Sequence, residues 1–146
     1  MILFLDTSAL VKLYVLESGS RALHERIKHS LLAVSPLTYG EMHATFARRM
    51  RDGLLTPDEH MRLCEEFEAN WTSLLQIPFS TRVLALVPGL CQRHPLRGAD
   101  AMQLACALML RQEDVQAVFT CSDRQLLTAA RAEEVETFDP AGSWEA

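Results

Sequence analysis

Short apolar runs alternate with longer stretches of helical period along the whole chain. Residues 1–5 are uniformly apolar up to Asp6, the mark of a strand buried on both faces, and such strands lie in parallel sheets covered by helices. Residues 31–35, closed by Pro36, and residues 115–121 read the same way. Residues 74–78 suit a strand or an extended connection, and 135–138 form a last β-like piece. Between these runs the apolar spacing turns helical. Leu10, Val11, Leu13 and Tyr14 follow Asp6, with Thr7 or Ser8 available as the cap. Leu23 and Ile27 mark a helix over residues 20–29, and Met42, Phe46 and Met50 one over 37–51 that Gly53 ends. Thr56, Pro57 and Glu59 spell a capping box before the stripe Leu63, Phe67 and Trp71. Ser80 caps a segment carrying Val83, Leu84, Val87 and Leu90, in which Pro88 should bend or break the path. Residues 95–108 open an alanine-rich helix able to pack close to a neighbour, and 124–131 form another.

This alternation predicts one α/β domain over residues 1–146, a three-layer α/β/α arrangement around a mainly parallel sheet of four to five strands. The polar tail, residues 139–146, is expected to be loosely ordered. At 146 residues the chain is long enough for a self-sufficient core. Cys64, Cys91, Cys106 and Cys121 form no C-x-x-C pair, which suits a reducing cytoplasm and argues against structural zinc. The apolar start is too short for a signal segment, and no run approaches the roughly 20 residues of a membrane span, so a cytoplasmic protein with no membrane partner is expected. A net charge of −5 does not mark a nucleic-acid binder. A carboxylate site that holds phosphate through a metal would itself contribute negative charge.

The acids change the picture most. Asp6 stands at the end of the first strand, where open α/β sheets hold their ligands, and serves there either as a helix cap or as a functional group. Asp123 repeats the pattern of strand, small polar residues, carboxylate and helix. Asp100 opens the alanine-rich helix, where the helix dipole favours a carboxylate by about 0.3–1 kcal/mol. Glu41, beside Met42 in the first turns of its helix, can look along the sheet edge. Gathering such groups is costly, since two unit charges about 4 Å apart repel by about 4 kcal/mol at an effective dielectric near 20. A hard divalent cation relieves that repulsion, and a set of oxygen ligands favours Mg²⁺ or Mn²⁺ over zinc. His24, His29, His43, His60 and His94 form no H-E-x-x-H or triad and read as surface or packing residues.

Residues 5–13 (LDTSALVKL), Glu41 in a helix opening, residues 96–101 (LRGADA) with Leu104 and Ala105, and residues 119–123 with Leu126, Ala129 and Ala130 together resemble the PIN-domain ribonucleases. Within that family the chain most resembles the VapC-like toxins of bacterial and archaeal toxin–antitoxin systems, in order and spacing over nearly its whole length. The resemblance implies an endoribonuclease dependent on Mg²⁺, with Mn²⁺ able to substitute, that leaves a 5′-phosphate. It puts the metal-binding acids on Asp6, Glu41, Asp100 and Asp123 and an auxiliary hydroxyl on Thr7 or Ser8. It also implies a small cognate antitoxin covering the acidic site, and a homodimer. The family often carries Thr or Ser two residues before the last acid, where this chain has Cys121 between Thr120 and Ser122, and a one-residue slip would give Ser122 or Thr120 that role. Arg97, Arg48, Arg49 and Arg51 are candidate phosphate contacts. Two other readings stand beside this one. A haloacid-dehalogenase-type phosphatase would use Asp6 as nucleophile, but needs a second acid where Ser8 stands. A PIN-fold module that binds RNA or protein without catalysis is the other, and the presence of all four acids weighs against it.

Overall fold

Five short strands hydrogen-bond in parallel in a computed structural model that describes residues 1–142. They are β1 (Ile2–Leu5), β2 (Leu31–Val34), β3 (Leu75–Gln76), β4 (Ala117–Thr120) and β5 (Thr137–Phe138), in the order β3-β2-β1-β4-β5. Every neighbouring pair is parallel, so the sheet is wholly rather than mainly parallel. β1 is central and buried on both faces. Phe4 pairs in register with Phe119 and stacks on it at 5.9 Å within one core, while Leu3 and Leu5 join Val118 in the other.

Among the described residues seven helices cover the two faces: α1 (Thr7–Leu10), α2 (Ser20–Ile27), α3 (Pro36–Arg51), α4 (Pro57–Trp71), α5 (Thr81–Arg93), α6 (Gly98–Gln112) and α7 (Arg124–Ala132). Leu10, Leu23, Met42, Phe46 and Phe67 bring α1 to α4 onto the Leu3 and Leu5 side. Val83, Leu90, Leu104, Leu126 and Leu127 bring α5 to α7 onto the Phe4 side. The result is the α/β/α layering that the apolar pattern predicts. The helix starts follow the expected chemistry: Thr56 and Glu59 close a reciprocal capping box on α4, and Ser80 accepts from the Val83 N–H on α5. Gly53, at φ +76°, follows α3 as its left-handed stop.

Three expectations are corrected. The cap of α1 is Asp6 itself, which accepts from the Ala9 N–H, rather than Thr7 or Ser8, and α1 lasts four residues before tightening into a 3₁₀ turn at Val11–Leu13. Pro88 does not interrupt α5. It removes only the donor for the Leu84 carbonyl, and both residues sit on an exposed face where water substitutes. The tail is not loose over its first residues. Asp139 Oδ1 accepts from Ser122 Oγ and from the Ala141 N–H, both at 2.9 Å, and Pro140 is buried, while residues 143–146 lie outside the described residues.

Gly19, left-handed at φ +92°, makes room for that segment, because a Cβ there would stand 2.7 Å from the Pro140 carbonyl carbon. Gly19→Ala should therefore lower the thermal midpoint by about 4–8 °C, equivalent to about 2 kcal/mol of left-handed strain and displaced backbone. Thermal denaturation measures this, and an unchanged midpoint would contradict the packing of Pro140 on Gly19.

Candidate active site

The carboxyl ends of the strands form one rim, on which Asp6 follows β1, Ser35 follows β2, and residues 121–123 follow β4. Asp6 is held there by its backbone, whose N–H still donates to Thr120 O at 3.1 Å in line with the sheet. Its Oδ1 accepts from the Ala9 N–H at 3.0 Å and from Ser8 Oγ at 2.7 Å. The Cys121 thiol also lies against this carboxyl, and the residue keeps 6% of its surface accessible. One side chain is thus both helix cap and rim acid: Oδ1 starts α1, and Oδ2 caps no helix. Asp123 repeats this, its Oδ1 accepting from the Leu126 N–H at 3.0 Å to cap α7.

Glu41 comes from the second turn of α3, and its Oε1 accepts from Thr7 Oγ1 at 2.6 Å and, at 3.4 Å, from Gln103 Nε2. Asp100 stands in the first turn of α6, half-buried. Thr7 and Ser8, alternatives for one role in the sequence, have separate partners. Thr7 serves Glu41, while Ser8 serves Asp6 and accepts from the Ser122 N–H at 3.1 Å. Ser122 does not take the hydroxyl role toward the acids, because its Oγ turns to Asp139. Cys121, fully buried, accepts the Asp123 N–H on Sγ at 3.2 Å.

The charges feel one another. Burial pushes the Asp6 carboxyl up to about 6 against the opposing hydrogen bonds of Ser8, Ala9 and Cys121, and Asp100 adds to the rise. Asp100 is also pushed up, first by burial and then by Asp123, with Glu41 contributing and the Arg97 guanidinium pulling the other way. Yet among the described residues no three Asp, Glu, His or Cys side chains stand close enough to enclose one metal ion. The site is thus four acids in a shared field rather than a closed ligand shell. The donor set fits a hard divalent cation, being oxygen only, short of counter-charge, and with a second oxygen on Asp6 and on Asp123 that caps no helix.

Of the candidate phosphate contacts Arg97, the residue preceding α6, stands beside one of the four rim acids, Asp100. Arg48, Arg49 and Arg51 occupy the last turn of α3, which begins about 10 Å along the helix from Glu41. Arg49 Nη2 is engaged by Glu17 at 3.1 Å, and Glu17 also receives the buried Lys12 at 3.0 Å. Sequence reasoning missed Gln103, Thr38, Ser35 and Asp139. Gln103 left a signal, as the sole polar residue in the apolar stretch 101–110.

Because folding raises the Asp6 pKa from 3.8 to about 6, the metal-free fold favours the protonated form. That contribution is complete below about pH 4 and lost as pH rises through about 6, a difference of about 3 kcal/mol. Asp6→Asn keeps an acceptor for Ala9 and Ser8, so in EDTA at pH 8 it should melt about 6–12 °C above wild type, with the gap closing toward pH 4. Paired thermal scans at the two pH values measure it, and a variant melting below wild type at pH 8 would leave Asp6 a structural cap.

The PIN domain family matches residues 3–132 of this chain. Over 134 residues, 90% of this chain and 90% of each relative, the chain is 34% identical to Ribonuclease VapC45 and to Ribonuclease VapC49, from two strains of Mycobacterium tuberculosis. Among solved structures it superposes on VapBC2 from Rickettsia felis bound to a promoter DNA fragment, with a TM-score of 0.68 at 14% identity over 95% of this chain and 98% of that one. It superposes on FitAcB from Neisseria gonorrhoeae with a TM-score of 0.67 at 20% identity over the whole of both chains. On Mycobacterium tuberculosis VapC20, a sarcin-ricin loop cleaving toxin, the TM-score is 0.60 at 16% identity over 87% of this chain and 94% of that one. A parallel sheet in the order β3-β2-β1-β4-β5 with acids on its carboxyl rim, and a family match over nearly nine-tenths of the sequence, place the chain in one group: it belongs to the PIN domain family.

Proposed function

We propose that this chain is a metal-dependent endoribonuclease and the toxin of a toxin–antitoxin pair. The observation that carries the reading is the shared field of Asp6, Glu41, Asp100 and Asp123 on one rim, with Asp6 and Asp100 both pushed up. When bound, Mg²⁺ or Mn²⁺ would supply Lewis-acid activation of water and neutralise the charge of a phosphodiester under in-line attack. The chain's own part is to present oxygens that already have fixed positions. Asp6 and Asp123 are set by the helices they cap, and Glu41 is set by Thr7. Arg97, exposed beside Asp100, would contact the phosphate backbone of a bound RNA. Hydrolysis leaves a 5′-phosphate on one fragment and a 3′-hydroxyl on the other.

The ribonuclease names of the relatives and the toxin–antitoxin complexes among the structural neighbours support this reading. So does a surface suited to a small protein partner. A cleft of about 400 Å³ between α1, α2 and α4 is lined by Leu10, Leu13, Ile27 and Leu74, with Glu66 at its edge. Glu59 and Glu66 flank the adjoining hollow beside Leu16, which is 91% exposed. An antitoxin segment with apolar side chains matches that lining, in which Arg62 stands among Glu59 and Glu66, and a second copy of the chain completes the expected homodimer. No helix among the described residues is long and apolar enough to cross a membrane.

Purified protein should cut labelled RNA in Mg²⁺ or Mn²⁺ and not in EDTA, leaving a chromogenic phosphomonoester intact. Asp6→Asn, Asp100→Asn and Asp123→Asn should each lower cleavage by at least about 100-fold while the circular dichroism spectrum stays native. A variant that retains full metal-dependent activity removes its residue from the site. Protein that cuts no RNA in either metal favours the non-catalytic module, and hydrolysis of the phosphomonoester favours the phosphatase.

Mn²⁺ at a hundredfold excess over its dissociation constant should stabilise the wild type by about 2.7 kcal/mol, a rise of about 5–11 °C in the midpoint, and far less in Asp6→Asn. A wild type indifferent to metal would count against the four-acid site as a cation centre.

A further inference from the structure

Gln103 is 3% exposed in the middle of α6, one turn beyond Asp100, and its amide has a complete set of partners that no apolar packing role requires. Ser35 Oγ donates to Gln103 Oε1 at 2.8 Å. Gln103 Nε2 donates to Thr38 Oγ1 at 2.8 Å and, more weakly, to Glu41 Oε1 at 3.4 Å. Thr38 Oγ1 lies 3.1 Å from Thr7 Oγ1, which donates to Glu41 Oε1 at 2.6 Å.

Counting protons gives this chain a direction. A hydroxyl has one proton, and that of Thr7 goes to Glu41, so the Thr7–Thr38 bond must use the proton of Thr38. Thr38 can then only accept from α6, and only the NH₂ side of the amide can donate there, which leaves Oε1 for Ser35. The bonds run one way, Ser35 to Gln103 to Thr38 to Thr7 to Glu41, and end on Oε1 of an acid. Such a chain polarises each bond in turn and has no slack for an alternative orientation. It joins the end of β2 at Ser35 to α6, α3 and α1, and α6 also carries Asp100 while α1 begins next to Asp6.

We propose that Gln103 is a positioning residue of this site, holding one oxygen of Glu41 directly and through Thr38 and Thr7, and thereby fixing Glu41 against Asp100 for cation binding. The role rests on the metal-dependent reading given above. Its reach is comparable to that of residues behind metal ligands elsewhere, whose loss typically weakens metal binding 10- to 100-fold.

The test compares Gln103→Met, of similar volume but without the amide, with Thr38→Val and its conservative counterpart Thr38→Ser. Mn²⁺ affinity is measured by calorimetry, and kcat and KM for RNA cleavage are measured in saturating Mg²⁺. Gln103→Met and Thr38→Val should each weaken Mn²⁺ by about tenfold or more and lower kcat with KM for RNA little changed, while Thr38→Ser should retain wild-type values. In a Glu41→Gln background, Gln103→Met should weaken Mn²⁺ no further, since its effect passes through Glu41. If Gln103→Met does not fold, the Thr38 pair decides alone. Wild-type Mn²⁺ affinity and kcat in folded Gln103→Met or Thr38→Val, or a full additional loss in the Glu41→Gln background, would overturn the proposal and leave the chain a packing feature. A wild type that neither binds Mn²⁺ nor cuts RNA overturns the ribonuclease reading itself, and this role with it.

Discussion

A carboxylate at the end of the central buried strand is the constraint on which this structure turns. Asp6 closes β1 with its N–H still on Thr120, starts α1 with its side chain on Ala9, and puts a charge where burial resists it. The strand order explains why other acids meet it. From β1 the chain winds outward through β2 and β3 on one side, and β4 and β5 extend the sheet on the other. The helices on opposite faces therefore part between β1 and β4, where open α/β sheets keep a crevice. Asp6 and Asp123 end the two strands that flank that point, and the first turn of α6 brings Asp100 into their field.

Most of the buried polarity among the described residues lies near this rim, with Lys12 and Ser20 buried away from it. Asp6, Ser35, Thr38, Gln103 and Thr120 are buried near it, and among the described residues no buried side-chain polar atom lacks a partner. A second polar cluster lies along the same helices. Lys12, from the 3₁₀ turn after α1, and Arg49, from the end of α3, share the carboxylate of Glu17. The α1 segment is thus tied to α3 twice, through Thr7 to Thr38 and Glu41 near the rim and through Glu17 beyond it. Arg49 is better explained by that tie than by substrate, because a partly buried guanidinium already matched to a carboxylate has little to gain from a phosphate.

What was legible in the sequence is what period and end chemistry determine. The uniform apolar runs became β1, β2 and β4 because both faces of the central sheet are covered, and the Thr56 and Ser80 starts held because their partners lie within the same turn. Asp6, Asp100 and Asp123 stood out because each stands where an apolar run gives way or a helix begins, whereas Glu41, in the second turn of α3, was singled out by its place beside the apolar stripe. Pro88 misled because a proline's effect depends on whether water reaches the orphaned carbonyl, a property of the exposed face and not of the local sequence. The folded start of the tail depends on Gly19 and Ser122, both far away in the chain. The Gln103 chain likewise joins positions 7, 35, 38, 41 and 103, and no local pattern encodes which hydroxyl will face which amide.

Cys121 shows how a departure from the expected hydroxyl is absorbed. The work of a side-chain hydroxyl beside the last acid is divided here: Sγ takes the Asp123 N–H, and Ser8, from across the rim, takes the Ser122 N–H and donates to Asp6. Burial first, and the Asp6 carboxylate after it, push the thiol far up from its ordinary value, so it stays neutral. Neutrality is what the position demands. A thiolate at Cys121 would add another negative charge beside Asp6, at a rim whose acids already raise one another, and it would offer a soft ligand where the remaining donors are all hard oxygens. A thiol kept protonated by its burial can therefore stand where a hydroxyl is expected without adding to the charge of the acids around it.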